Sequence, residues 1–210
     1  MTALVDTSNR WSRIAIALVS TTLVYNVIEA VIALWFGAAA DSIALMGFGL
    51  DSGIETAAAT VMLYRLWAEY RGVEGERLAR IEHRVHQFVG ATFLLLAVYV
   101  TGQAGWTLWM QQAPDESFVG IALAAVSLVI MPLVSWGKLR AAKELGSASL
   151  RAEAKETLAC SYLSFALLLG LVANAAAGWW WADPVAALLM VPWLVKEARE
   201  GLSSEDCCDD

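Results

Sequence analysis

Long apolar runs separated by short polar stretches organise this chain. A run crosses the hydrocarbon of a bilayer as a helix when it holds about 20 mostly apolar residues. Six stretches have this form, near 12–36, 42–66, 86–110, 117–137, 150–177 and 182–196. The last is short, and its helix is expected to continue past Lys196 to Leu202. Loops and tails are brief, so residues 1–202 read as one transmembrane domain and 203–210 as a short acidic tail. The pattern predicts an all-α membrane protein of six transmembrane helices. Two triplets of spans, each with an ionisable pair on its middle span, hint at a 3+3 inverted repeat.

Composition agrees. Hydrophobic residues make up 59% of the 210, and mean hydropathy is +0.57, too apolar for a soluble core of this size. The N-terminus is polar and no short run ends in a cleavage-type site, so the first span is expected to act as its own insertion signal. Charge then adds orientation. All fourteen Lys and Arg fall on one side of the six-span arrangement: Arg10 and Arg13, the group from Arg65 to Arg84, Lys138 to Lys155, and Lys196 with Arg199. The opposite loops carry Asp41, Asp115, Glu116 and Asp183 and no basic residue. By the positive-inside rule both termini are expected in the cytoplasm, in a bacterial-type plasma membrane. Trp11, Trp67, Trp136 and Trp193 near inner ends, and Trp35, Trp106, Trp109 and Trp179 to Trp181 near outer ends, read as interfacial belts.

Candidate chemistry lies inside the spans. Asp51 and Glu55 stand four residues apart, one helical turn, on nearly one face of the second span. Glu156 and Cys160 repeat that spacing on the fifth. An ionisable side chain near mid-membrane costs roughly 2.5–3.5 kcal/mol on insertion scales, so it faces a cavity or a partner. Because the second and fifth spans run oppositely, Asp51 is expected level with Cys160, and Glu55 level with Glu156. Such a tetrad of three oxygens and one sulfur suits a divalent transition metal, and the thiolate favours Zn²⁺ or Cd²⁺ over harder ions. The competing reading is structural: an interhelical hydrogen bond, or a salt bridge for which Lys155 is the obvious partner. Asn26 and Glu29 share a face of the first span, and Glu29 is placed to complete the site, carry protons or bond a neighbouring helix.

Weaker signals surround this set. His83 and His86 at the inner mouth of the third span, and Cys207 and Cys208 in the tail, are metal-competent but read first as solvated groups. Gly47, Gly49 and Gly53 read as one face of the second span that admits a close helix or leaves room for an ion. Three Cys make no disulfide framework, and no hydrolase triad, nucleotide loop or nucleic-acid motif occurs.

The sequence resembles the cation diffusion facilitators, proton-coupled exporters of divalent metals. Asn26-Val-Ile-Glu29 resembles their first-span Asn and Glu. Ser42-Ile-Ala-Leu45 with Asp51-Ser-Gly-Ile-Glu55 resembles the second-span motif, and Glu153-Ala-Lys-Glu156-Thr with Cys160 the fifth. Asp183-Pro184 matches a family habit. Glu55 stands where Asp is usual, Glu156 where His or Asp is usual, and Cys160 where Asp is usual. The resemblance implies a bundle of the first, second, fourth and fifth spans around the metal, with the third and sixth outside. It also implies a short form without the usual C-terminal cytoplasmic domain, which leaves the transmembrane helices as the surface for a homodimer. The expected activity is export of a divalent metal, Zn²⁺ first, in exchange for protons; Fe²⁺, Mn²⁺, Cd²⁺ and Co²⁺ are alternative cargoes. Rival classes are a membrane metal sensor or accessory protein without translocation and, last, an intramembrane metalloenzyme.

Overall fold

The computed structural model describes residues 2–71, 76–111 and 114–203. Among them the chain forms six helices and no strand: α1 (Thr2–Ala39), α2 (Ile43–Tyr70), α3 (Glu76–Met110), α4 (Phe118–Leu145), α5 (Ala148–Ala177) and α6 (Ala182–Leu202). Each contains one of the six apolar runs, and several overshoot it. Helix α3 begins at Glu76 rather than 86, because Glu-Arg-Leu-Ala-Arg is built of strong helix formers that need no hydrocarbon around them. Helix α6 continues to Leu202 as expected. Four helices, α1, α3, α4 and α5, contain a segment long and apolar enough to cross a membrane by composition alone. Helix α2, which carries Asp51 and Glu55, and the 21-residue α6 complete the bundle.

The stops follow local chemistry. Gly146 and Gly178 end α4 and α5 in the left-handed conformation, at φ 65° and 64°, where a side chain would be strained. Ser117 and Ser147 cap α4 and α5 by accepting from the amides of Gly120 and Leu150. Only Gly146 and Ser147 separate α4 from α5, so these helices pack as antiparallel neighbours. Helix α2 has its cap supplied from far away: Asp183 of α6 accepts from the amides of Ile43 (2.9 Å) and Ala44 (3.3 Å) and from the Ser42 hydroxyl. A carboxylate at a helix N-terminus is favoured by the exposed amides and the helix dipole. The Asp-Pro before the last span is therefore a clamp between α6 and α2.

Helices pair α1 with α2, α4 with α5 and α3 with α6, while α1 meets α4 and α2 meets α5 across the middle. Exchanging the first three helices for the last three carries these pairings into one another, as a 3+3 repeat would. Close approach is made possible by small residues. A Cβ on Gly49 of α2 would lie 3.0 Å from Ala33 and Leu34 of α1, and one on Gly170 of α5 would lie 2.5 Å from the Cβ of Ala186 on α6. The three glycines of α2 do not share one face. Gly47 turns to Val100 of α3, and Gly49, two residues and about 200° further round, turns to α1, while Gly53, one turn beyond Gly49, meets no neighbour.

Outward-facing residues such as Val31, Leu95, Val129 and Leu133 are apolar, the surface a lipid-facing bundle needs. Trp35, Trp106, Trp109, Trp136, Trp67, Trp179 and Trp181 are also exposed, in keeping with interfacial belts. Trp193 departs from that expectation: it is half-buried and lines a cavity.

Between α4 and α5 lies a buried ion pair. Lys138, fully buried, donates to Glu153 at 2.6 Å and to the Thr157 hydroxyl at 2.9 Å, and Ser135 donates to the carbonyl of Ala154. This corrects the assignment of Lys155 as the bridging residue. Lys155 is exposed, whereas Lys138, counted by sequence among loop charges, sits inside α4 because that helix runs on to Leu145.

Candidate metal centre

Asp51 lies two turns into α2, and Glu55 follows one turn later on nearly the same face. Helix α5 crosses α2 at this depth and presents Cys160. The three side chains converge: one ligand atom each of Asp51, Glu55 and Cys160 lies within 4.8 Å of the other two. Asp51 and Cys160 are almost fully buried, at 2% and 1% exposure, and Glu55 is partly so. Two oxygens and a sulfur brought this close form a donor set that suits a soft or borderline dication.

The neighbours of this cluster fix its geometry. Asn26 of α1 donates from Nδ2 to Oε2 of Glu55 at 3.0 Å, holding one carboxylate oxygen. Glu29 is buried, and its Oε2 accepts from the Ser52 hydroxyl at 2.9 Å. The buried atoms Asp51 Oδ2, Glu29 Oε1, Asn26 Oδ1, Tyr25 Oη and Ser127 Oγ have no hydrogen-bond partner among the described residues. Ser161 Oγ and Glu153 Oε2 are likewise unpartnered; buried polar atoms are rarely left so, and those of Asp51, Asn26 and Glu29 can receive water, protons or an ion. The second residue of the fifth-span pair stands apart. Glu156 is not within the group of three; it lines a narrow space with Glu55, Asn26 and Glu153 and also borders a larger cavity toward the basic end of the bundle. Asp51 is thus grouped with Cys160, and Glu55 shares a space with Glu156, while Cys160 also reaches Glu55.

Residues 19–204, most of the chain, match the model of the cation efflux transmembrane domain. The chain is a member of the cation efflux family. The chain is also 27% identical over 150 residues to an uncharacterized transporter of Synechocystis sp.. The match takes in 70% of this chain and 48% of that protein, so the chain spans about half the length of the curated relative it matches.

Sequence reasoning left four participants without an assigned role. Ser127 and Tyr25 are ordinary residues of apolar runs, and only the structure shows their hydroxyls buried without partners beside Glu29. Lys138 and Glu153 were visible as charges, and the signal that they meet was their position on helices joined by a two-residue turn. His83 and His86 lie on α3, but their side chains fall outside the described residues, as do Cys207 and Cys208.

Proposed function

We propose that this protein is a secondary transporter that moves a divalent transition metal out of the cytoplasm in exchange for protons, with Zn²⁺ as the expected cargo. The observation that carries this reading is the convergence of Asp51, Glu55 and Cys160 at the α2–α5 crossing, deep in the bundle. Glu156 supplies the fourth ligand from one turn along α5, and Asn26 orients Glu55. A site of this mixed hardness fits Zn²⁺, with a single sulfur tilting it away from Mn²⁺ and Fe²⁺. Protons compete with the metal for the same carboxylate oxygens and the same sulfur. Metal binding therefore releases protons, and reprotonation releases metal. Glu29, in contact with Ser52, provides a second carboxylate for that traffic. The one-sided basic residues support cytoplasmic termini, so the basic end of the bundle is the loading side.

The test is a proteoliposome assay with a pH-sensitive dye inside and Zn²⁺ added on one side at clamped potential. Zn²⁺ movement with opposite proton movement is expected, and Glu55→Gln with Glu156→Gln should abolish both signals. Zn²⁺ flux without protons would leave a facilitator. Saturable binding without any flux would favour a sensor or accessory role.

A further inference from the structure

At the basic end of the bundle a cavity of about 370 Å³ opens between α5 and α6. Its inner wall is Glu156, which also lines the narrow space shared with Glu55 and Asn26, so this one carboxylate stands between the cavity and the buried cluster. Facing it from α6 is Glu197, only 8% exposed and without a hydrogen bond or ion pair among the described residues. Its oxygens are not among the fully buried unpartnered atoms, so the carboxylate opens onto the cavity, where it can meet something that arrives.

No cation around the cavity forms a salt bridge with it among the described residues. Lys196 lines the same cavity, 4.4 Å from the ring centre of Trp193 and 3.5 Å from Glu200. Arg151 and Lys155 are exposed at the rim, where water and salt screen them. Carboxylates on both walls, one of them on a residue only 8% exposed and without a salt bridge, make a recess that suits a small dication.

Resting on the transport reading above, we infer that Glu197 and Glu156 form a loading station, where a hydrated divalent cation is first held and then passed through Glu156 to the Asp51–Glu55–Cys160 centre. Glu197 is here a positioning residue for capture, and Glu156 is the shared ligand of both stations. The arrangement explains why Glu156 stands apart from the group of three: a ligand serving two stations lies between them.

The experiment uses Cd²⁺ as probe, with the full-length protein in liposomes and in detergent. Cd²⁺ bound at the inner centre is read by its thiolate charge-transfer absorption, in a background where Cys207 and Cys208 are serine. In Glu197→Gln the half-saturating Cd²⁺ for flux from the basic side should rise about tenfold, the size of effect expected when a steering charge is lost. The maximal rate and the amount of thiolate-bound Cd²⁺ should stay the same, and Glu197→Asp should restore half-saturation. An unchanged half-saturation in Glu197→Gln would overturn the loading station while leaving the transport reading intact. Loss of the thiolate signal in Glu197→Gln would overturn it too, since Glu197 would then be acting on the inner centre itself. Wild-type protein that shows neither flux nor thiolate signal would overturn the transport reading, and this inference with it.

Discussion

Helix α5 carries two glutamates three residues apart that live in opposite circumstances. Glu153 faces α4, where Lys138 meets it at 2.6 Å and Thr157 completes the lysine's coordination. Glu156 faces the cavities, near Glu55 on one side and Glu197 on the other, with no cation bound to it. Glu153 is buried and Glu156 half-buried; the first carries its own counter-charge, and the second has no salt bridge among the described residues. A buried carboxylate with an internal cation holds helices together; one without it waits for a partner from outside. The same contrast separates Lys138–Glu153 as a whole from the Asp51–Glu55–Cys160 centre. Substitutions that remove charge should therefore do opposite things in the two regions.

The largest effect should be in the paired region. Lys138→Met strands Glu153 as an uncompensated buried charge and should lower stability by about 3–5 kcal/mol. In thermal unfolding of detergent-solubilised protein it should melt well below wild type, and adding Glu153→Leu should recover most of the loss. Equal stability of Lys138→Met and wild type would break the comparison. In the unpaired region, Asp51→Asn removes a charge with no partner and should leave stability unchanged or higher. It should lower Zn²⁺ affinity by at least about 100-fold, beyond the 10–100-fold typical of outer-shell losses. Isothermal titration beside a melting curve reads both. Cys160→Asp should keep binding but reverse preference, from Cd²⁺ and Zn²⁺ towards Mn²⁺ and Fe²⁺, in a metal-by-metal titration. An unaltered order would leave Cys160 as a small buried core residue. Smallest of all, Asn26→Ala frees one oxygen of Glu55 and should weaken Zn²⁺ binding by about tenfold with the metal order preserved.

Much of this contrast could be read before any coordinates. Six apolar runs gave six helices, because in hydrocarbon a helix satisfies its own backbone and length alone decides crossing. The i, i+4 spacing of Asp51 with Glu55 named the acids, and their membrane depth made them demand an explanation. What the sequence left obscure depends on rotation and depth of one helix against another. A shift of α5 by a single turn decides whether Cys160 meets Asp51 alone or both acids, and no residue pattern encodes that shift. Lys138 was obscured by its apolar run ending just before it, although the helix carries on. Asp183 was recognisable as a habit of the family; that it caps α2 is a fact of tertiary packing.

Orientation has its own check. With Cys207 and Cys208 replaced by serine, a cysteine at exposed Ala38 should react with an impermeant maleimide added outside whole cells, and one at exposed Lys143 should not. The reverse pattern would place the loading station on the outer face.

The central claim is that cargo sits among Asp51, Glu55 and Cys160. X-ray absorption at the zinc edge, on Zn²⁺-loaded protein carrying Cys207→Ser and Cys208→Ser, tests it most directly. The account predicts one sulfur at about 2.3 Å and the remaining ligands as oxygens at about 2.0–2.2 Å, with the sulfur lost in Cys160→Ser. A first shell of oxygen alone in the protein that retains Cys160 would contradict it.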